Sequence, residues 1–391
     1  MAKEKTVREP LFHISKRDSI VWWKSWLIRI GAVFCALLLS SILIIALTGK
    51  NPVKIFSSII SGSFSTQTKM WLLLRELSVL LAISIAVTPA FKMKFWNIGA
   101  EGQVLVGCLA SGSCIMYIGT AVPNWMLLIF MTIASILAGV IWAVIPAIFK
   151  AKFNTNETLF TLMMNYIATF LTLFFIDLWV PSGSGTLGIL KDGQFPSLFG
   201  NEYLLPIVVV LMITGLMFVY LKYSKHGYEI SVVGESINTA RYAGMNVGKI
   251  IIRTLILSGA ICGITGLLLV GAINHTVTDS LVGGQGFTAI LVSWLAKFNP
   301  FYMILTALLV VFFKRGANQL ATDFSGSITS DFGEIIVGII FFFIIGCEFF
   351  LNYVVKFRGK ELSWKNIFSW LKDLFNKKEN KEITEKIKEE K

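Results

Sequence analysis

The chain has 391 residues, of which 55% are hydrophobic and only 15% are charged. Its mean hydropathy of +0.72 excludes an ordinary water-soluble domain. Several apolar runs reach the roughly 20 residues that a membrane-spanning helix needs, and they are continuous rather than alternating. We therefore predict an all-α, polytopic helical membrane protein.

Ten membrane segments are predicted in chain order. They cover 28–48, 71–91, 99–119, 126–149, 158–180, 204–222, 250–272, 286–297, 301–315 and 332–355. The eighth and ninth are short and are separated by Asn299-Pro300, so they form either two spans or one broken or re-entrant element. An even number of spans places both termini on one side of the membrane.

The positive charges orient this topology. Eleven of the 35 Lys and Arg residues follow Val355, and seven precede Gly31. Because Lys and Arg accumulate in cytoplasmic flanks, we expect both termini in the cytoplasm of a bacterial cell, with membrane lipid nearby. Lys314-Arg315 is the exception, since the topology puts this pair outside. No folded basic domain remains for binding nucleic acid.

The topology divides the chain into three parts. Residues 1–27 form a cytoplasmic flank, and 28–355 form the transmembrane domain with a cytoplasmic loop at 224–249. Residues 356–391 are a basic amphipathic helix followed by a charged cytoplasmic tail, because their apolar side chains recur at helical spacing among lysines and acids. These side chains are Trp364, Ile367, Phe368, Leu371, Leu374 and Phe375.

No pattern in the chain predicts catalysis or a resident cofactor. The five cysteines contain no CxxC pair, the three histidines have no metal-ligand spacing, and no P-loop sequence occurs. A formal G-x-G-x-x-G match at 183–188 is rejected, because it follows a membrane helix rather than a strand of a βαβ unit. We expect no catalytic residue, no metal site, no disulfide framework and no nucleotide bound by this chain.

The stretch FWNIGAEGQ, residues 95–103, puts polar side chains and glycines between two apolar helices. One reading is a broken helix that presents Asn97, Glu101 and Gln103 to a translocation path. The other is a helix cap, with Glu101 in the first turn favouring the helix dipole. The residues alone support both readings equally. We expect Glu101 to hold the break together with Asn97 and the glycines, and Gln103 rather than Glu101 to contact substrate.

Two further polar side chains lie within apolar segments. Asn165 lies two helical turns after Asn156-Glu157, which is a candidate helix cap, and it bonds a neighbouring helix or faces a polar cavity. Gln285 lies in the glycine-rich stretch GGQGF before a short helix. Tight packing explains most of that stretch, but Gln285 is a candidate for the path.

The loop at 224–249 is longer than a connection between two spans needs. It contains a short helix-forming piece, 237–243, between Gly234 and Gly244. A plain connecting loop explains it, but its length favours a short helix that docks a cytoplasmic partner.

Four stretches, in the same order along the chain, resemble one known family. FWNIGAEGQ, NETLFTLMMNYIA, GESINTARYAGMNV and GGQGFTAILVSWLAKFNP resemble signatures of the permease subunits of ABC importers for branched-chain amino acids, ribose and nucleosides. The resemblance is to the nucleoside, or simple-sugar, branch. This chain departs from the pattern at Ser236-Ile237, where the family has Asn-Pro.

The resemblance implies a division of labour among several chains. A second related permease and a cytoplasmic ATPase that binds ATP and Mg²⁺ would complete the transporter, and an extracytoplasmic substrate-binding lipoprotein would deliver the substrate. The segment of this chain that docks on the ATPase would include Gly234, Glu235, Ala240, Arg241 and Gly244. The chain itself would be a transport subunit and not an enzyme.

Two alternatives from other classes stay open at this point. A self-sufficient secondary transporter would use broken helices, but few acidic residues lie in the apolar segments to couple ions. An intramembrane enzyme would need a catalytic constellation, and His275 with Asp279 is the nearest pair.

Overall fold

The computed structural model describes residues 12–17, 21–181, 183, 185–324, 330–357 and 360–361. These residues form thirteen α-helices, one π-helical turn and three short strands. The elements are β1 (Phe12–Lys16), α1 (Trp22–Thr48), α2 (Pro52–Phe64), α3 (Gln67–Lys92), α4 (Ala100–Ile118), α5 (Asn124–Phe153), α6 (Glu157–Trp179), α7 (Leu204–Tyr223), α8 (Lys225–Glu235), α9 (Ile237–Tyr242), α10 (Val247–Leu268), the π-helical turn (Leu269–Asn274), α11 (Gln285–Leu295), α12 (Pro300–Asp323), α13 (Ser330–Asn352), β2 (Tyr353–Phe357) and β3 (Lys360–Glu361). In the predicted amphipathic segment 356–391, residues 356–357 and 360–361 belong to β2 and β3 rather than to a helix, and the other residues lie outside the described part of the chain.

Nine helices in the described part of the chain are long and apolar enough to cross a membrane: α1, α3, α4, α5, α6, α7, α10, α12 and α13. The remaining predicted segment, the eighth (286–297), is the shorter apolar helix α11. The prediction of an all-α polytopic membrane protein is therefore confirmed. The short helix α2 was not predicted, because its 13 residues are too few for a span.

The predicted end of the ninth segment, at residue 315, is wrong. The helix α12 continues to Asp323, so Lys314 and Arg315 lie within it rather than in a loop. Arg315 Nη1 is 2.6 Å from Glu76 Oε1 of α3, and both side chains are largely buried. The carboxylate of Glu76 therefore compensates the charge of Arg315 inside the helix, whereas hydropathy alone predicts that the helix ends at this charge.

The helices α3 and α10 form the centre of the unit that comprises Val53–Gly333. The helix α3 is buried without interruption from Ser78 to Phe91, and α7, α10, α11 and α12 pack against it. The helix α10 packs closely against α5 because Gly259 and Gly263 lie four residues apart on one face. A Cβ atom at Gly263 would overlap the backbone of α5 at Ser135.

The long loop at 181–203 packs along the segment that follows α10. Leu187 N donates to Val277 O at 3.1 Å, Leu190 N to His275 O at 2.8 Å, and Phe195 N to Gly271 O at 2.9 Å. The loop therefore covers the π-helical turn. Its described residues contain no βαβ unit.

The remaining unit comprises Met1–Pro52 and Glu334–Lys391. Within it, β1 pairs antiparallel with β2, and β2 with β3. Arg29 Nη2 of α1 lies 3.3 Å from Glu348 Oε1 of α13. This unit contains none of the predicted site residues, all of which lie in Val53–Gly333.

Candidate functional site

A non-helical segment, Met93–Gly99, separates α3 from α4. It is short, and Lys94 adopts a left-handed backbone conformation with φ of 60°. Asn97 within it is completely buried. Buried non-helical backbone needs hydrogen-bond partners from other elements, so the neighbours of this segment decide what holds it in place.

The helix α6 supplies the first set of partners. The N-terminus of α6 is capped by Asn156, whose Oδ1 accepts from Leu159 N at 3.2 Å, as predicted. Asn165 then accepts from Gly102 N at 2.9 Å and donates to Ile98 O at 3.0 Å. Asn165 therefore bonds a neighbouring helix, which is one of its two predicted roles.

The second set of partners involves Asn97 itself. Its Oδ1 accepts from Gly99 N at 3.1 Å and from Gln103 Nε2 at 3.3 Å. Its Nδ2 donates to Ser258 Oγ of α10, also at 3.3 Å. Asn97, Gln103 and Asn165 thus form one buried polar cluster that ties α4 to α6 and α10.

Glu101 connects this cluster to α11. Its two carboxylate oxygens accept from Gly284 N at 2.8 Å and from Gly286 N at 2.6 Å. Gly284 is the N-cap of α11 and has φ of 73°. The carboxylate therefore lies at the positive end of a half-length helix, where the helix dipole stabilises negative charge. Glu101 holds the start of α11, while Asn97 and Asn165 hold the non-helical segment between α3 and α4.

Two amide oxygens at the site are chemically unsatisfied. Gln103 Oε1 and Gln285 Oε1 are buried, and neither has a hydrogen-bond partner among the described residues. A buried acceptor without a partner carries an energetic cost and is often functional. Both oxygens can accept a hydrogen bond from a polar solute.

The segment after α7 forms two short helices, α8 and α9. Ser236 Oγ caps α9 by accepting from Thr239 N at 3.2 Å, so the serine that stands at the asparagine position of the resembling pattern starts the helix without the proline that follows in that pattern. Gly244, with φ of 76°, ends α9 in a Schellman motif. The predicted short helix between Gly234 and Gly244 is confirmed.

The helix α9 presents an exposed surface. Tyr242 is 94% exposed and Ile237 is 47% exposed, and Arg241 and Gly244 are also exposed. Ala240, in contrast, is fully buried and anchors the helix. An exposed aromatic ring beside a cation is the composition of a protein-docking surface.

The helix α8 connects this surface to the buried cluster. Gly234 approaches the last carbonyl of α3, that of Lys92, so closely that a Cβ atom would overlap it. The segment Met93–Gly99 follows directly. Gly234 of α8 therefore packs against the residue that directly precedes the segment carrying Asn97.

A profile of the family described as "Branched-chain amino acid transport system / permease component" matches residues 68–345. This span is more than half of the chain. The chain belongs to this family. The protein is therefore a membrane permease component, a transport subunit rather than an enzyme.

Three characterised relatives are similar to this permease over most of their length. The guanosine ABC transporter permease NupP of Bacillus subtilis is 28% identical, with 81% of this chain and 90% of the relative covered. The glucose ABC transporter permease TsgB13 of Haloferax volcanii is 25% identical, with coverage of 88% and 93%. The nucleoside ABC transporter permease NupB of Lactococcus lactis is 24% identical, with coverage of 81% and 90%.

The structure adds residues to the permease site that the sequence reasoning missed. Thr161 Oγ1 accepts from Ile98 N at 3.2 Å, and Ser258 bonds Asn97. Thr161 lies midway between Glu157 and Asn165 at spacings of four, so helical periodicity would have found it. No local signal marks Ser258, because its partner is distant in sequence.

Proposed function

We propose that this chain is the permease subunit of an ATP-driven importer and forms the translocation path for nucleosides. The observation that carries the proposal is the connection from the exposed helix α9, through α8, to the buried polar cluster around Asn97. Such a connection is what a transporter needs when its energy source is a separate cytoplasmic protein.

The proposed path runs beside the polar cluster and the start of α11. We assign Asn97, Glu101, Gln103, Asn165 and Gln285 to its wall. The free acceptors of Gln103 and Gln285 support this assignment, since ribose hydroxyls and base amino groups are hydrogen-bond donors. In this arrangement Gln103 is 1% exposed, so the helices must move before it meets a solute.

The proposed energy source is a separate ABC ATPase that binds ATP and Mg²⁺. Its docking surface on this chain is α9 with the flanking residues Gly234, Glu235, Ala240, Arg241 and Gly244. The absence of a P-loop from the full sequence supports this division. Closure of the ATPase would push α8 against the end of α3, and the segment at 93–99 would follow as part of a rigid body.

The proposed assembly contains two more proteins and has a defined orientation. A second related permease completes the membrane part, and an extracytoplasmic substrate-binding lipoprotein delivers the substrate. Both termini and the loop at 224–249 face the cytoplasm of a bacterial cell. The concentration of Lys and Arg at the chain ends supports this orientation.

A simple sugar is the second candidate substrate. The similarity to a permease named for glucose supports it, whereas the relatives named for guanosine and nucleosides support the first candidate. Nucleosides and simple sugars share hydroxyl donors, so the free amide acceptors fit both classes.

The test is uptake in proteoliposomes that contain the chain with its ATPase, second permease and binding protein. We expect ATP-dependent accumulation of radiolabelled guanosine and little accumulation of glucose. Glucose uptake without guanosine uptake would move the assignment to the sugar branch. Uptake by the chain alone, driven by an ion gradient, would refute the importer proposal.

The coupling surface is tested with a matched pair of glycines. Gly244 and Gly49 both adopt left-handed backbone conformations after a helix, at φ of 76° and 64°, and a Cβ atom meets nothing within 4 Å at either. Valine at each position imposes a similar backbone strain. We expect Gly244→Val and Tyr242→Asp to weaken ATPase binding and abolish uptake, and Gly49→Val to preserve both. Normal uptake by both α9 variants would refute the proposed docking surface.

A further inference from the structure

A groove outside the candidate site runs along the surface between α7 and α10. Its volume is about 560 Å³, and its walls include Leu216, Met217, Leu257 and Ile261. The groove exists because α3 lies behind both helices: α7 packs on α3 and α12, and α10 packs on α3, α4 and α5. The walls are apolar, as expected of a surface that faces hydrocarbon.

The length of the groove matches one leaflet of a bilayer. Along α7 its lining extends from Ile213 to Ser224. Eleven residue steps in a helix span about 16 Å. The hydrocarbon core of a membrane is about 30 Å thick, so the groove covers half of it. It ends where α7 ends and α8 begins, which is where the headgroup region is expected.

The mouth of the groove carries an excess of positive charge. Arg253 lies one and two helical turns before Leu257 and Ile261 on the same face of α10, and its side chain is 50% exposed. Lys222 and Lys225 are exposed at the junction of α7 and α8. Arg253 therefore lies on the groove side of α10, whereas Lys222 Nζ lies 5.3 Å from the ring centroid of Phe218, which does not line the groove.

The other polar groups at the mouth do not cancel this charge. Glu229 is the acidic residue facing Arg253, at 3.9 Å, and it offsets one of the positive charges at this end of the groove. Tyr220 Oη lies 3.1 Å from His226 Nδ1. Partial burial and then the charge of Arg253 lower the pKa of His226, which disfavours the charged form of its ring. Lys222 Nζ lies 5.3 Å from the ring centroid of Tyr223.

We propose that this groove binds one anionic phospholipid, with an acyl chain along α7 and α10 and the phosphate at Arg253. Tyr220 and Tyr223 line the end of the groove, and tyrosine is enriched at the depth where acyl chains meet headgroups. The guanidinium of Arg253 offers paired donors to phosphate oxygens, and the two lysines add attraction for a negative headgroup. The acyl chain of a zwitterionic lipid fits the groove equally well, but its headgroup has no net negative charge and is attracted less strongly by the cations at the end of the groove.

The experiment is native mass spectrometry of the full chain in detergent, titrated with phosphatidylglycerol or with phosphatidylcholine of the same acyl composition. We expect one tightly bound phosphatidylglycerol, with at least about tenfold preference over phosphatidylcholine. Arg253→Gln should remove most of this preference. Leu257→Trp should fill the groove and reduce binding of both lipids.

Lys152→Gln is the matched control. Lys152 is exposed in the last turn of α5, at the same end of the bundle as the start of α10, but it does not line the groove. This variant loses one charge and should keep the lipid preference. Equal binding of the two lipids by the unmodified chain, or an unchanged preference in Arg253→Gln, would overturn the proposal. So would Leu257→Trp if it altered self-association of the chain and left lipid binding unchanged, since the groove would then be a protein interface.

Discussion

Replacing Glu101 by glutamine tests whether its carboxylate fixes the start of α11. The carboxylate accepts two backbone hydrogen bonds, from Gly284 and Gly286. Glutamine keeps one acceptor oxygen but places an NH₂ group where the other accepted, and it removes the charge from the helix N-terminus. We expect the stretch at 284–286 to open locally more often, while the polar cluster held by Asn97 and Asn165 persists.

The magnitude follows from the bond that is lost. A hydrogen bond to a charged acceptor contributes about 1.5–3 kcal/mol, and the helix dipole adds a fraction of that. Removal of a buried charge offsets part of the loss. A net change of about 2 kcal/mol in local opening corresponds to roughly thirtyfold faster exchange of the two amides, since 1.4 kcal/mol is tenfold.

The assay is hydrogen–deuterium exchange of peptides that contain Gly284 and Gly286, on the purified chain in nanodiscs. Glu101→Ala should exchange faster still, because both amides lose their acceptor. Glu157→Gln is the control: Glu157 also lies in the first turn of a spanning helix, but it pairs with Lys150 at 2.7 Å. Exchange in Glu101→Gln equal to that of the unmodified chain would refute the proposed role of Glu101 in holding α11.

Three further changes test the packing of the site and of the bundle. Asn165→Ala removes two hydrogen bonds and leaves Gly102 N and Ile98 O buried without partners, so thermal unfolding in detergent should report a loss of about 2–4 kcal/mol. Gly263→Leu forces α10 away from α5 and should prevent stable folding, whereas Gly215→Leu, which meets nothing within 4 Å, should be recovered in normal yield by size-exclusion chromatography. Arg315→Gln leaves Glu76 largely buried and unpaired, which should cost about 1–3 kcal/mol, and a double replacement with Glu76→Gln should recover part of it.

The spanning helices were predictable because hydropathy over about 20 residues is a local property. The predicted helix boundary was wrong where the helix extends beyond its apolar run. The apolar run of α12 ends near Phe313, yet the helix continues through ten more residues to Asp323, and residues in this part find partners on α2 and α3. Gly316 packs on Ile59, and Gln319 accepts from Lys69 at 2.9 Å. Hydropathy depends only on neighbouring residues in the sequence, so it cannot indicate these distant partners.

In the candidate site, likewise, the polar residues could be predicted from the local sequence, but their distant partners could not. Its polar residues were recognisable because amides and carboxylates are rare in apolar helices and therefore stand out. Their partners were not recognisable. Glu101 meets residues more than 180 positions away, and Ser258 is 161 positions from Asn97. Glu101 was expected to hold the break together with Asn97 and the glycines. Its carboxylate bonds the start of α11, while Asn97 and Asn165 bond the residues of the break itself.

The geometry explains why one short stretch, 95–103, contains so many polar residues. The stretch has three neighbours that are far apart in sequence: α6 through Asn165, α10 through Asn97, and α11 through Glu101. At its start, it follows the end of α3 against which Gly234 of α8 packs. A hydrophobic linker would pack against these neighbours but would permit sliding, since apolar contacts are not directional. Directional hydrogen bonds fix the positions of three helices at one place. Any motion that enters through α8 must therefore move all three together or break those bonds.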